Sequence, residues 1–213
     1  MRCPLRRPAA SGIMNGMKND RQWDRKLNIR TRGRDSTHES AVRYAYEPTP
    51  YGVLQKLTES GWITKDSVLL DYGSGKGRVS IFMSAETGCK SLGIDFSEDM
   101  VRTAEKNLEA SGLQARVSFR LADAVRFTIP PDVDRLYFFN PFSASILEEV
   151  LKKVIASWYE APRRILLFFY YPSKDYVGLL ARSPEFDFID ELDCSDLFPG
   201  DPREKILCFS LEE

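Results

Sequence analysis

The residues best placed to do chemistry lie between Val68 and Arg78, where an apolar run ends in Asp71 and then passes through Gly73, Gly75 and Gly77. Glycines recur in this way where a backbone must turn with positive φ, or where a ligand has to approach the main chain without meeting a Cβ. The spacing is GxGxG. A dinucleotide fingerprint of the GxGxxG type fails because Arg78 stands three places after Gly75. A Walker A loop fails because Gly77 replaces Ser or Thr and the glycine five places before Gly75 is absent. Two further acids follow, Asp95 in Gly93-Ile-Asp-Phe-Ser97 and Asp123 in Leu121-Ala-Asp-Ala124. Asp95 can accept hydrogen bonds from both hydroxyls of a ribose, Phe96 can cover one face of an adenine, and Asp123 can take the exocyclic amine of that base. Taken singly, either acid reads first as an ordinary turn or cap residue. Three acids at successive strand ends instead mark the carboxyl edge where open α/β sheets bind ligands.

The elements that must hold these residues are short apolar runs alternating with amphipathic helices, the pattern of βα repeats and a mostly parallel sheet. Strands are predicted over Ser67–Asp71, Lys90–Asp95, Val117–Leu121, Arg135–Phe139 and Ile165–Tyr171. Thr49 is predicted to cap a helix with Pro50 at its first position and Gly61 as its stop. Further helices are expected over 78–86, from Ser97 to Gly112, after a capping box of Ser145 and Glu148, and over Ser173–Ser183. Phe186–Leu192 and Lys205–Leu211 have no room for a helix between them and should form an antiparallel hairpin.

Through Asp71-x-Gly73-x-Gly75-x-Gly77, Asp95 and Ala122-Asp123-Ala124, the chain from about Tyr44 onward resembles the class I (Rossmann-like) S-adenosylmethionine-dependent methyltransferases. The resemblance implies an α/β fold: a seven-stranded, mostly parallel sheet with helices on both faces and a C-terminal antiparallel hairpin. It also implies S-adenosyl-L-methionine as cofactor, with the glycine loop against its methionine part, Asp95 on the ribose, and Asp123 with Ala124 on the adenine. Tyr44-Ala-Tyr46-Glu-Pro-Thr49-Pro50-Tyr51 is similar to a segment that closes over the cofactor in some members, which adds Tyr46 and Thr49; a rigid lead-in to the first helix is the other reading. Asn140-Pro141-Phe142 is similar to the Asn-Pro-Pro-aromatic motif of amino-directed members but lacks the second proline. In that motif Asn140 and the Pro141 carbonyl would orient an amino nitrogen and Phe142 would stack on a planar acceptor; a plain strand-to-helix turn is the alternative.

Methyl transfer from an activated sulfonium carbon is an in-line displacement that rests on positioning and desolvation, so no universal base is required. An oxygen acceptor would need one, and Tyr170, Tyr171 and Asp175 qualify by location alone. A nicotinamide-dependent oxidoreductase and a non-catalytic cofactor-binding protein remain as rival classes. The methyl acceptor, whether protein, nucleic acid or small molecule, is not specified by any motif.

Composition limits the alternatives. The 213 residues, 43% hydrophobic and 29% charged, suit one main domain rather than wholesale disorder. Cys3, Cys89, Cys194 and Cys208 form no CxxC pair and His38 is the only histidine, so neither a disulfide framework nor a metal site is expected. The longest apolar run, Ile165–Tyr171, is too short for a membrane span, and a cytoplasmic location follows as the expectation. Residues 1–40 carry ten Lys or Arg against four Asp or Glu and are expected to form a flexible basic arm ahead of a domain over 41–213. The arm is either a solvated tail, an extension upstream of a start at Met14 or Met17, a weak transit-peptide mimic, or an attractor of phosphate-bearing substrates through Arg25, Lys26, Arg30, Arg32 and Arg34.

Overall fold

A computed structural model describes residues 13–36, 44–198 and 200–212, with side chains from residue 20 onward. Seven strands, β1 (Val68–Tyr72), β2 (Lys90–Asp95), β3 (Val117–Leu121), β4 (Arg135–Phe138), β5 (Ile165–Tyr170), β6 (Asp187–Asp193) and β7 (Lys205–Leu211), form one sheet in the order β3-β2-β1-β4-β5-β7-β6. The first five are parallel, and β7 runs antiparallel between β5 and β6. The all-parallel dinucleotide-binding arrangement has no such inserted strand.

The helices are α1 (Ile13–Lys26), α2 (Tyr51–Glu59), α3 (Arg78–Thr87), α4 (Glu98–Ser111), α5 (Ala144–Glu160) and α6 (Lys174–Leu180). One face of the sheet is covered by α2, α3 and α4 through Leu54, Leu57, Phe82, Val101 and Ala104. The other is covered by α5 and α6, where Leu147, Val150, Leu151, Val154 and Leu180 are buried, each worth roughly 1.5–3 kcal/mol relative to exposure. In β5, Leu166, Phe168 and Tyr170 enter the first core and Ile165, Leu167 and Phe169 the second, which explains its unbroken apolar run.

Caps are where local expectation and structure part. Ser97 caps α4 by accepting from the Met100 N–H, and Gly112 closes that helix in the left-handed region, both as expected. Thr49 does not cap α2; Pro50 holds that position, and the Thr49 hydroxyl lies 3.1 Å from the Tyr137 hydroxyl instead. Ser145 and Glu148 form no capping box either, because α5 starts two residues earlier behind Ser143.

The largest departure concerns the basic arm. Residues 13–26 are helical, Leu27 and Ile29 are buried in the first core with Trp23 packed against it, and Asp35 forms an antiparallel bridge with Tyr46. Lys26 pairs with Glu86 at 3.1 Å and Arg32 with Asp24 at 3.5 Å, so these cations are tied into the fold. Residues 1–12 and 37–43, which include His38, lie outside the described residues. Among the described residues no helix is long and apolar enough to cross a membrane.

Candidate functional site

A cavity opens at the carboxyl ends of β1, β2, β3 and β4, the edge where the sequence places its acids. Its wall includes Tyr46, Thr49, Asp71, Gly73, Asp95, Phe96, Asp123, Ala124, Asn140, Pro141 and Phe142. Gly75 and Gly77 belong to the loop beneath it. All three loop glycines have positive φ, between 51° and 84°. Gly75 lies under the Tyr46 ring, so close that a Cβ would overlap it, and a Cβ on Gly77 would come within 2.5 Å of Phe119. Gly77 is therefore required by packing and by the left-handed start of α3, while Gly75 is required by the contact above it.

Asp95 holds the loop in place. One carboxylate oxygen accepts the Gly75 N–H at 2.9 Å and the other accepts the Ser97 N–H at 2.9 Å, joining the glycine loop to the start of α4. An ionised carboxylate has about four acceptor positions, so this clamp is compatible with further hydrogen bonds from a ligand. Asp123 is an exposed turn residue whose Oδ1 accepts the Val125 N–H at 2.9 Å. The turn reading and the wall position coexist in this side chain.

Asp71 is buried and accepts from the Ser80 hydroxyl at 3.2 Å. Burial pushes its carboxyl up to about 7; Ser80 pulls against that rise, and the neighbouring Asp95 charge adds to it. Since the folded value lies above the ordinary 3.8, the native state holds a proton that the unfolded chain releases, and stability falls as pH rises from about 4 to about 7. Asp71→Asn is expected to remove this slope. Denaturant midpoints at about pH 5 and pH 8 should diverge between wild type and variant, the variant being relatively more stable at the higher pH.

Asn140 has φ of 42° and its amide is engaged at both ends: Nδ2 donates to the Tyr171 carbonyl at 2.6 Å, and Oδ1 accepts the Ser173 N–H at 3.1 Å. Its side-chain oxygen thus braces the loop after β5 and is not turned toward an acceptor as the motif implies. Pro141 packs against Gly73, where a Cβ would lie 2.5 Å from its own, and Phe142 is buried with its ring edge-on to Tyr72. Loss of both amide bonds in Asn140→Ala should lower stability by about 2 kcal/mol in a denaturation series. Tyr171, which Asn140 holds, also lines the cavity, and its hydroxyl donates to Asp201 at 2.7 Å.

A buried charge network supports the loop from behind, and no motif announces it. Arg78, 2% exposed, donates to Asp20 Oδ2 at 2.7 Å, the Thr49 carbonyl at 3.0 Å and the Thr31 hydroxyl at 2.7 Å, and it stacks on the Tyr51 ring. Asp24 accepts from the hydroxyls of Tyr51 and Thr31, each at 2.8 Å. Tyr46 donates its hydroxyl to the Thr31 carbonyl at 2.6 Å. The helix that follows the glycine loop is thus bolted to α1 and to the segment that lies over Gly75.

Comparison with known proteins agrees with this geometry. A family model described as a methyltransferase domain matches residues 69–163. A protein-lysine N-methyltransferase of Saccharolobus islandicus is 30% identical over 74 residues, 34% of this chain and 46% of that protein. The methyltransferase GfsG of Streptomyces halstedii is 28% identical over 107 residues, 45% of this chain and 38% of its own. The chain therefore spans less than half the length of these curated relatives. An RNA methyltransferase from Salinibacter ruber, solved with S-adenosyl-L-homocysteine, shares the fold at a TM-score of 0.53 and 22% identity, covering 78% of this chain and 95% of that one. Glycine loop, acid-tipped strands, inserted antiparallel strand and matched domain agree: residues 69–163 match a methyltransferase domain, and the fold is that of the class I S-adenosylmethionine-dependent methyltransferases.

Proposed function

We propose that the protein binds S-adenosyl-L-methionine in this cavity and transfers its methyl group to an amine nitrogen. The observation that carries the reading is the clamp between the Gly73–Gly77 loop and Asp95, which presents bare backbone and an oriented carboxylate on one wall. The cavity fits a polar ligand: Tyr72 and Ser74 line it with buried hydroxyls that have no hydrogen-bond partner in the protein. When bound, the cofactor supplies a methyl group already activated on a sulfonium. Asp95 would hold the two ribose hydroxyls, Phe96 and Ala124 would sandwich the base, and Asp123 would accept from its amine. Asn140 serves as a positioning residue that fixes Tyr171 beside the acceptor.

Charge supports an amine as acceptor. Asp35, Glu47, Asp95 and Asp123 line the cavity together with Asp71. Arg78, the cation among the described lining residues, is already paired with Asp20. An electronegative cavity concentrates cations and repels polyphosphates. The similarity to a protein-lysine N-methyltransferase points the same way. A cytoplasmic location is part of the proposal, supported by three buried unpaired thiols, Cys89, Cys194 and Cys208. So is a functional unit that begins before Ala41, supported by the Arg78 network. Incubating the full chain with methyl-tritiated cofactor and a cell lysate should give label recoverable as an N-methylamine after acid hydrolysis. Label confined to nuclease-sensitive material or to base-labile esters would overturn the amine reading.

A further inference from the structure

Tyr72 carries a hydroxyl that the fold does not use. The residue is 1% exposed, with its ring stacked on Phe138 at 5.0 Å and edge-on to Phe142 at 6.2 Å. Its neighbours in the second core are Leu70, Ile94 and these two phenylalanines, so phenylalanine would satisfy the packing alone. The hydroxyl has no hydrogen-bond partner, and burial alone pushes its pKa upward. The other buried tyrosines are treated differently. Tyr51 donates to Asp24, Tyr137 meets Thr49, Tyr170 donates to Glu204, Tyr171 to Asp201, and Tyr176 to the Phe142 carbonyl. An unpaired buried hydroxyl is destabilising and calls for an explanation.

Place supplies the explanation. Tyr72 is the residue after Asp71 on β1 and lines the cavity beside Phe142, Ala122 and Ala124, the end assigned above to the base. Ser74, two residues on, lines the same cavity with a second unpartnered hydroxyl, so the cavity wall holds two buried polar groups that the fold leaves unpaired. We propose that Tyr72 is a specificity residue for the purine of the cofactor: its phenol O–H donates to a ring nitrogen of the base once the cavity is filled. The proposal rests on the cofactor assignment made above.

The test is calorimetric titration of wild type and Tyr72→Phe with S-adenosyl-L-homocysteine and with its 1-deaza, 3-deaza and 7-deaza analogues, alongside the thermal midpoint of each protein without ligand. Loss of one neutral hydrogen bond, with a ring nitrogen left unpaired, should weaken S-adenosyl-L-homocysteine binding by about tenfold in Tyr72→Phe. The unliganded variant should melt no lower than wild type, because only an unpaired hydroxyl is removed. One deaza analogue should bind both proteins equally, which identifies the nitrogen. Equal affinity of both proteins for the parent ligand, or a variant that melts markedly lower, overturns the role of Tyr72 and leaves the cofactor assignment standing. Absence of binding by wild type overturns both.

Discussion

Asp95→Ala is expected to weaken binding of S-adenosyl-L-homocysteine by about 10² to 10³-fold, the equivalent of two charge-assisted hydrogen bonds at roughly 1.5–3 kcal/mol each, discounted for solvent that enters in their place. The effect has two sources that can be separated. Ligand hydroxyls lose their acceptor, and the Gly75 and Ser97 N–H groups lose theirs, so the glycine loop is released from the start of α4. Asp95→Asn keeps the shape and one acceptor oxygen but presents an NH2 to one of those backbone donors. It should therefore bind nearly as poorly as the alanine variant while remaining folded by circular dichroism. Near wild-type affinity in Asp95→Asn would mean that the carboxylate charge is not what the ligand meets.

The second large effect is expected at Arg78, directly after the last glycine of the loop. Arg78→Met should destabilise the protein by about 3–5 kcal/mol, because it leaves Asp20 and Asp24 facing a buried, uncompensated site. Removing one partner of a buried pair is much more damaging than replacing the whole set. A triple variant carrying Asp20→Asn and Asp24→Asn as well should therefore recover part of the loss, measured by urea denaturation. Equal stability of the single and triple variants would show that the network contributes packing alone. The same logic predicts that deleting residues up to Lys26 unfolds the protein or abolishes ligand binding, in contrast to the mild effect expected of a flexible arm.

These two sites differ in how far they could be read from the chain. The glycine loop, Asp95 and the Ser97 cap were legible because their geometry is local: φ is positive at Gly73, Gly75 and Gly77, and Ser97 bonds to a backbone N–H three residues away. The antiparallel pairing of the last two strands was legible too, since no helix fits between β6 and β7. Thr49 misled because its side chain has a local option, the helix cap, and a distant one, Tyr137, 88 residues away, and the distant one prevailed. The basic arm misled for the same reason on a larger scale. Asp20, Asp24 and Lys26 look like a solvated face, yet their partners Arg78 and Glu86 lie on a helix some sixty residues on. Charge patterning along a chain says nothing about pairing across the fold. The partners of the Asn140 amide were not legible, because the Tyr171 carbonyl and Ser173 N–H that engage it belong to the loop after another strand.

The central claim, that this cavity is a nucleoside-sulfonium site, is tested most directly by calorimetric titration of the full chain with S-adenosyl-L-methionine, in competition with a nicotinamide dinucleotide. The account predicts saturable binding of S-adenosyl-L-methionine at one site per chain, displaced by S-adenosyl-L-homocysteine and unaffected by the dinucleotide. Saturable binding of the dinucleotide with no heat from S-adenosyl-L-methionine would contradict it.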